Sequence, residues 1–246
     1  MQNFRAALWR NDGNGHFMEA TSAGSFLADQ LWCAPIWGDY NRDGFLDLFV
    51  ANAWEEPPTY HLRNALYFNR ADATFGRVTE GDLVNYIGRV FGGCAGDMDD
   101  DGDLDLVTTG RSGVALFEND GTGEFRRITA GAPTVTGDPI TSSWADYDND
   151  ERLDLFVAVF DRTSQLFHND GDGRWTRMPL GDARQTTCGM WGDYDNDGDL
   201  DLFISRGQSP NPATSNLLYA NNGDGTFTRV SLGSLSNDLG LSIGCA

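Results

Sequence analysis

The sequence predicts an all-β fold of repeated four-stranded antiparallel units, and three observations carry that expectation. An acidic nine-residue block recurs four times, and an Asn-Gly-rich turn flanked by aromatic and branched residues recurs five times. Both recur at a spacing near 50 residues, and no stretch shows the 3.6-residue periodicity of an amphipathic helix. A unit of that length with four strand-like segments is the period of a β-propeller blade, whereas a solenoid repeat offers only one or two elements.

The acidic blocks are Asp39-Tyr-Asn41-Arg-Asp43-Gly44-Phe45-Leu-Asp47, Asp97-Met-Asp99-Asp-Asp101-Gly102-Asp103-Leu-Asp105, Asp146-Tyr-Asp148-Asn-Asp150-Glu151-Arg152-Leu-Asp154 and Asp193-Tyr-Asp195-Asn-Asp197-Gly198-Asp199-Leu-Asp201. Each places an oxygen-bearing side chain at positions 1, 3, 5 and 9. Alternate side chains of a tight loop converge on one point, and the backbone carbonyl at position 7 (Phe45, Asp103, Arg152, Asp199) can join them. Converging carboxylates repel unless a hard cation sits among them, and Ca²⁺ tolerates such irregular cages of six to eight oxygens better than Mg²⁺ does. A single acidic loop can be read as a solvated turn; four copies at one internal spacing point to metal loops. An EF-hand is excluded, because position 12 is Val50, Thr108, Val157 or Ile204 where that loop needs a bidentate Glu, and each block runs into a strand-like Leu-Asp-Leu segment.

The second motif runs Leu8-Trp-Arg-Asn11-Asp-Gly13-Asn-Gly15-His-Phe17, then returns from Leu66, Leu116, Leu166 and Leu218 with Asn69, Asn119, Asn169 and Asn221 at the turn. Asn, Asp and Gly accept the positive φ angles of a hairpin turn, so these segments are expected to be C–D hairpins. The second copy replaces the turn glycines with Ala71 and Ala73, so its turn is expected to differ. Within each unit strand A precedes the metal loop, strand B follows it, and C and D form the hairpin. Blades are expected at about 33–80, 88–130, 140–180 and 186–232, after a partial blade at 1–32 and before a closing strand at 240–246, all in one domain. A fifth blade position forms if that last strand joins the N-terminal hairpin; the alternative is a fragment of a six- to eight-bladed ring.

The blocks Trp191-Gly-Asp-Tyr-Asp-Asn-Asp-Gly-Asp-Leu-Asp-Leu and Gly96-Asp-Met-Asp-Asp-Asp-Gly-Asp-Leu-Asp-Leu resemble FG-GAP/VCBS repeats, the units of integrin α-subunit propellers and of ASPIC/UnbV-like calcium-binding repeats. The resemblance implies a secreted, cell-surface or periplasmic propeller with up to four Ca²⁺ ions, one in each A–B loop. Transferred by position, the ligands are Asp39, Asn41, Asp43 and Asp47; Asp97, Asp99, Asp101 and Asp105; Asp146, Asp148, Asp150 and Asp154; Asp193, Asp195, Asp197 and Asp201. Asn41 is a neutral ligand, and Glu151 stands where Gly gives the sharp turn, so the third loop is expected to be strained or weaker.

Composition limits the partners. The chain of 246 residues carries 37 acids against 17 bases, a formal charge of −20, and all the bases are arginine. No basic patch can form to neutralise phosphates, which excludes nucleic-acid binding of that kind, and no apolar run is long enough for membrane insertion. Met1-Gln2-Asn3-Phe4-Arg5 lacks an apolar signal-peptide core, so any such leader is expected to be absent from this sequence. Cys33, Cys94, Cys188 and Cys245 lie in or just before A strands at unequal offsets; small buried residues are favoured over disulfides. His16, His61 and His168 are isolated, and no catalytic motif is present.

Two functional classes stay open: a recognition or adhesion module for a glycan or protein partner, and an enzyme acting on polysaccharides or small molecules. Binding is expected on the face opposite the metal loops, where the B–C connection lengthens at Asn52-Ala-Trp54-Glu-Glu-Pro-Pro-Thr-Tyr60-His61 and at 206–216. Trp32, Trp54, Tyr60 and His61 are the candidate ligand-binding residues there. Trp37, Trp144 and Trp191 recur before the metal loops and are read as packing residues. The sequence leaves the oligomeric state open.

Overall fold

The computed structural model describes residues 7–20, 33–52, 63–72, 74–181, 183–207 and 215–231, without the Cys33 side chain, and every structural statement below concerns those residues. The chain is all-β apart from one helical turn. Blade one is β3 (Cys33–Gly38), β4 (Asp47–Asn52), β5 (Ala65–Asn69) and β6 (Phe75–Arg77). Blade two is β7 (Val90–Gly96), β8 (Asp105–Gly110), β9 (Gly113–Asn119) and β10 (Phe125–Ile128). Blade three is β11 (Pro139–Ala145), β12 (Asp154–Val159), β13 (Gln165–Gly171) and β14 (Arg174–Met178), and blade four is β15 (Thr186–Gly192), β16 (Asp201–Arg206), β17 (Leu217–Asn221) and β18 (Phe227–Val230). Each is a four-stranded antiparallel meander, and β1 (Trp9–Asn11) pairs with β2 (Phe17–Glu19) as a separate two-stranded sheet. This is the expected propeller-like arrangement of about five blades.

Strands B explain why the sheets stack. Strands β4, β8 and β12 are buried along their whole length, so both faces of the pleat are covered. That is why Leu48-Phe49-Val50 or Leu155-Phe156-Val157 reads as a continuous apolar run and does not alternate. One cluster joins Phe49 and Leu66 of blade one to Leu106 and Phe117 of blade two; others join blades two and three and blades three and four. The inner strands β3, β7, β11 and β15 pack in that order. They approach so closely that a Cβ on Gly92 would lie 2.7 Å from the Ile140 carbonyl oxygen of the next blade.

Four local features depart from expectation. A helical turn, α1 (Asp82–Asn85), lies between blades one and two and buries Leu83 and Val84 in their shared core. One turn is too short to produce a periodic signal. Cys188 is disulfide-bonded to a cysteine whose side chain is not among those described, against the preference for reduced thiols, while Cys94 is free. Strand offsets hid this pairing because they compare positions along the chain and not across blades. Ala71 adopts φ 61°, and its amide donates to Asn69 Oδ1 as Gly223 does to Asn221 Oδ1, so the second hairpin keeps the common turn and accepts the strain. The fourth hairpin, in blade three, is the divergent one, with β13 and β14 joined across Asp172 and Gly173 at φ 52° and 70°. Two consecutive positive angles form the tight turn that matches strand twist.

Candidate metal centres and the cleft between two of them

Each acidic loop is organised by its own carboxylates. The position 1 side chain accepts from the amides of positions 5 and 6: Asp97 Oδ1 from Asp101 N at 3.1 Å and Oδ2 from Gly102 N at 2.9 Å, with the same pair in the other three loops. The position 5 carboxylate accepts from the position 7 amide in all four loops. These bonds require a left-handed residue at position 4, supplied by Arg42, Asp100, Asn149 and Asn196 at φ 57–62°. Position 6 is left-handed as well, and Glu151 takes φ 70° where Gly44, Gly102 and Gly198 stand elsewhere, which is the strain expected of the third loop. Left-handed geometry costs an L-residue about 1–2 kcal/mol, partly offset by glycine's greater unfolded entropy. Glu151→Gly is therefore expected to stabilise the protein by about 0.5–1 kcal/mol in denaturant unfolding; a lower midpoint would contradict this.

The buried position 9 aspartate joins each loop to its hairpin. Asp105 Oδ2 accepts from Met98 N at 2.9 Å and Oδ1 from Asn119 N at 2.8 Å; Asp47, Asp154 and Asp201 repeat both bonds. The hairpin Asn then reaches in two directions. Asn169 Nδ2 donates to Leu153 O in its own blade at 3.2 Å and to Met98 O of the preceding blade at 2.9 Å. Asn119 reaches Tyr40 O and Asn221 reaches Tyr147 O in the same manner. None of these asparagines has the positive φ that hairpin chemistry suggested. Their place at the turn is set by hydrogen bonding that ties one blade to the next. Position 7 side chains add cross-blade contacts, Arg42–Asp103 at 2.7 Å and Asn149 Nδ2 to Asp199 Oδ1 at 3.0 Å.

Three loops gather acidic ligand atoms within 4.8 Å of one another: Asp97, Asp99 and Asp101; Asp146, Asp148 and Asp150; Asp193, Asp195 and Asp197. These clusters fit a metal ion. In the first loop Asn41 Nδ2 instead donates to Asp43 Oδ2 at 3.1 Å, so the neutral ligand satisfies its neighbour internally. The Asp99 and Asp148 carboxyls are held above the usual range by burial and then by neighbouring carboxylates, and Asp148 Oδ1 is buried without a hydrogen-bond partner. A cation would relieve both conditions. A further group appears in blade three, where His168 joins Asp148 and Asp154. His168 looked isolated in sequence because its partners come from the preceding A–B loop.

Burial pushes Asp105 and Asp154 up to about 7. A carboxyl raised in the folded state binds its proton more tightly there than in the unfolded chain. Stability of the metal-free protein therefore falls as pH rises from about 4, the unfolded value, through about 7. The chelated protein is expected to melt higher near about pH 5 than near about pH 8, with Ca²⁺ reducing the difference. A chelated melting temperature that rises over that interval would contradict this.

A cleft of about 390 Å³ opens between the metal loops of blades two and three. Met98, Leu116, Ile128 and Trp175 form its apolar wall; Asp99, Asp100, Glu118, Asp150, Glu151 and Arg152 supply polar groups. Trp175 packs against Trp144 with ring centroids 5.9 Å apart, and Trp191 stacks on Tyr147 at 6.1 Å, in keeping with the packing role expected of Trp144 and Trp191. Trp37 is 41% exposed. Trp32, Trp54, Tyr60 and His61 lie outside the described residues, as does the closing strand at 240–246.

The fold occurs in an Agrocybe aegerita lectin described as recognising non-reducing terminal N-acetylglucosamine, with 15% identity, a TM-score of 0.50, and coverage of 94% of this chain and 74% of that one. The V. cholerae biofilm matrix protein Bap1 aligns with 18% identity and a TM-score of 0.46 over 79% of this chain, which spans 30% of its length. No curated protein matches the sequence. The FG-GAP-like repeat pattern matches residues 3–50, 97–157, 146–204 and 193–245, the last three overlapping, and the windows contain the four acidic loops. With more than half of its length so matched, the chain belongs to the FG-GAP-like repeat family.

Proposed function

We propose that the chain is a Ca²⁺-stabilised extracellular recognition module that binds a glycan, with Ca²⁺ in the A–B loops serving the scaffold. The observation that carries this reading is the cleft between blades two and three. Its 390 Å³ suits one or two sugar rings, Trp175 offers an apolar platform, and the acidic rim offers acceptors to hydroxyl groups. The likeness to the lectin supports the fold alone; the binding role rests on the cleft. The loop-hairpin bonds of Asp105 and Asp154 hold both walls in place, so the site is preorganised. The long B–C loops with Trp54 and Tyr60 remain a second proposed contact surface, on the opposite face.

A glycan array in Ca²⁺, followed by titration of the best ligand, tests the assignment. Trp175→Ala should weaken binding about 30-fold if the ring is a hot spot, with Trp175→Phe intermediate and melting measured alongside to separate folding from binding. Normal binding by both Trp175 variants together with loss in Trp54→Ala or Tyr60→Ala would move the site to the opposite face. Chemical turnover of a bound glycan would replace recognition with catalysis.

A further inference from the structure

The residue before the stapling Asn occupies one register position in each four-stranded blade. It is Phe68, Glu118, His168 or Ala220, paired across the hairpin with Gly76, Arg126, Thr176 or Thr228. Blade three alone places a nitrogen ligand there. His168 Nδ1 lies 3.1 Å from Asp154 Oδ1 and 3.2 Å from Asp148 Oδ2. Despite these distances, Nδ1 is buried without a hydrogen-bond partner, as is Asp148 Oδ1. The carboxylate oxygens crowd the imidazole nitrogen without lining up along a hydrogen-bond axis. His168 Nδ1 and Asp148 Oδ1 are thus left unsatisfied beside Asp154, whose oxygens accept from Asn169 N and Tyr147 N, and a cation among the three would satisfy both unpaired atoms.

Two features bear on which ion fits. Zn²⁺ bonds to nitrogen and oxygen at about 2.0–2.2 Å, which puts neighbouring ligand atoms about 2.9–3.5 Å apart across octahedral to tetrahedral geometry. The observed 3.1 and 3.2 Å fall inside that window; Ca²⁺ at about 2.3–2.6 Å admits similar spacings but takes oxygen ligands, so it is the imidazole nitrogen that favours zinc. Blade three also differs in that the Arg152 guanidinium contacts Asp150 Oδ2, so a hard cation must compete with it for that oxygen. The added imidazole and the arginine-paired carboxylate both favour a borderline ion over a hard one.

We propose that blade three carries a zinc-class site formed by His168 Nδ1, Asp148 and Asp154, distinct in ion preference from the oxygen-only loops. Water or a neighbouring carboxylate completes the coordination shell. The site requires no particular glycan in the cleft and stands apart from the recognition reading.

The test uses the full chain without an affinity tag, stripped of metal, then equilibrated with excess Ca²⁺ and one equivalent of Zn²⁺ and desalted for elemental analysis. One zinc per chain is expected to survive the calcium excess. His168→Ala and Asp148→Asn should each weaken zinc binding at least tenfold in competition with a chelating dye, while His16→Ala retains it. Melting in Ca²⁺ identifies any variant that fails to fold, and Co²⁺ in place of zinc should give visible absorption that His168→Ala removes from an otherwise folded protein. Zinc content unchanged in folded His168→Ala, or no zinc retained by the parent, would overturn the proposal. Zinc retained by a chain that binds no calcium would support it while overturning the calcium reading of the other loops.

Discussion

Chelation is expected to lower the melting temperature by tens of degrees in total. Ca²⁺ that binds the folded loops and not the unfolded chain contributes about 2.7 kcal/mol per site at a hundredfold excess over Kd. For a domain of this size that corresponds to about 5–10 °C per occupied loop. The loops hold their shape through carboxylate–amide bonds, so removal of the ion should leave a folded but weakened protein. Calorimetry with and without a chelator measures the difference. An unchanged midpoint would mean that the acidic clusters are solvated turns.

Truncation of a stapling asparagine should be at least as costly as loss of one metal. Asn169→Ala removes two donated bonds, to Leu153 O and Met98 O, and the acceptor that orders Gly171 N. Asn169 is 3% exposed, so no water readily replaces the amide. Unsatisfied buried carbonyls cost about 1–3 kcal/mol each, which puts the loss at about 3–5 kcal/mol. Asn14→Ala, in an exposed turn, should change stability by less than about 0.5 kcal/mol. Equal denaturation midpoints for Asn169→Ala and the wild type would remove the staple from the account.

What could be read from sequence was whatever repeats along the chain. The acidic spacing, the apolar B strands and the fifty-residue period each recur in register, so the fold class and the converging carboxylates were legible from Asp97, Asp146 and Asp193 onward. What could not be read is carried between blades or by a single copy. Asn119 meets Tyr40 O across 79 residues, and turn chemistry gave its identity a sufficient but incomplete explanation. His168 occupies a position filled by Phe, Glu or Ala in the other blades, so repetition could not flag it. The cleft beside Trp175 belongs to two loops and a hairpin at once, and its residues look like ordinary repeat positions until the blades are stacked.

A direct count of bound calcium tests the central claim, that the acidic loops are structural metal sites. The chain is saturated with Ca²⁺ alone, freed of excess and analysed for calcium per polypeptide, beside a variant carrying Asp195→Asn and Asp197→Asn. The account predicts several equivalents in the parent, one fewer in the variant, and a lower melting temperature for the variant in Ca²⁺. Equal calcium content in the two proteins, or none in either, would contradict it.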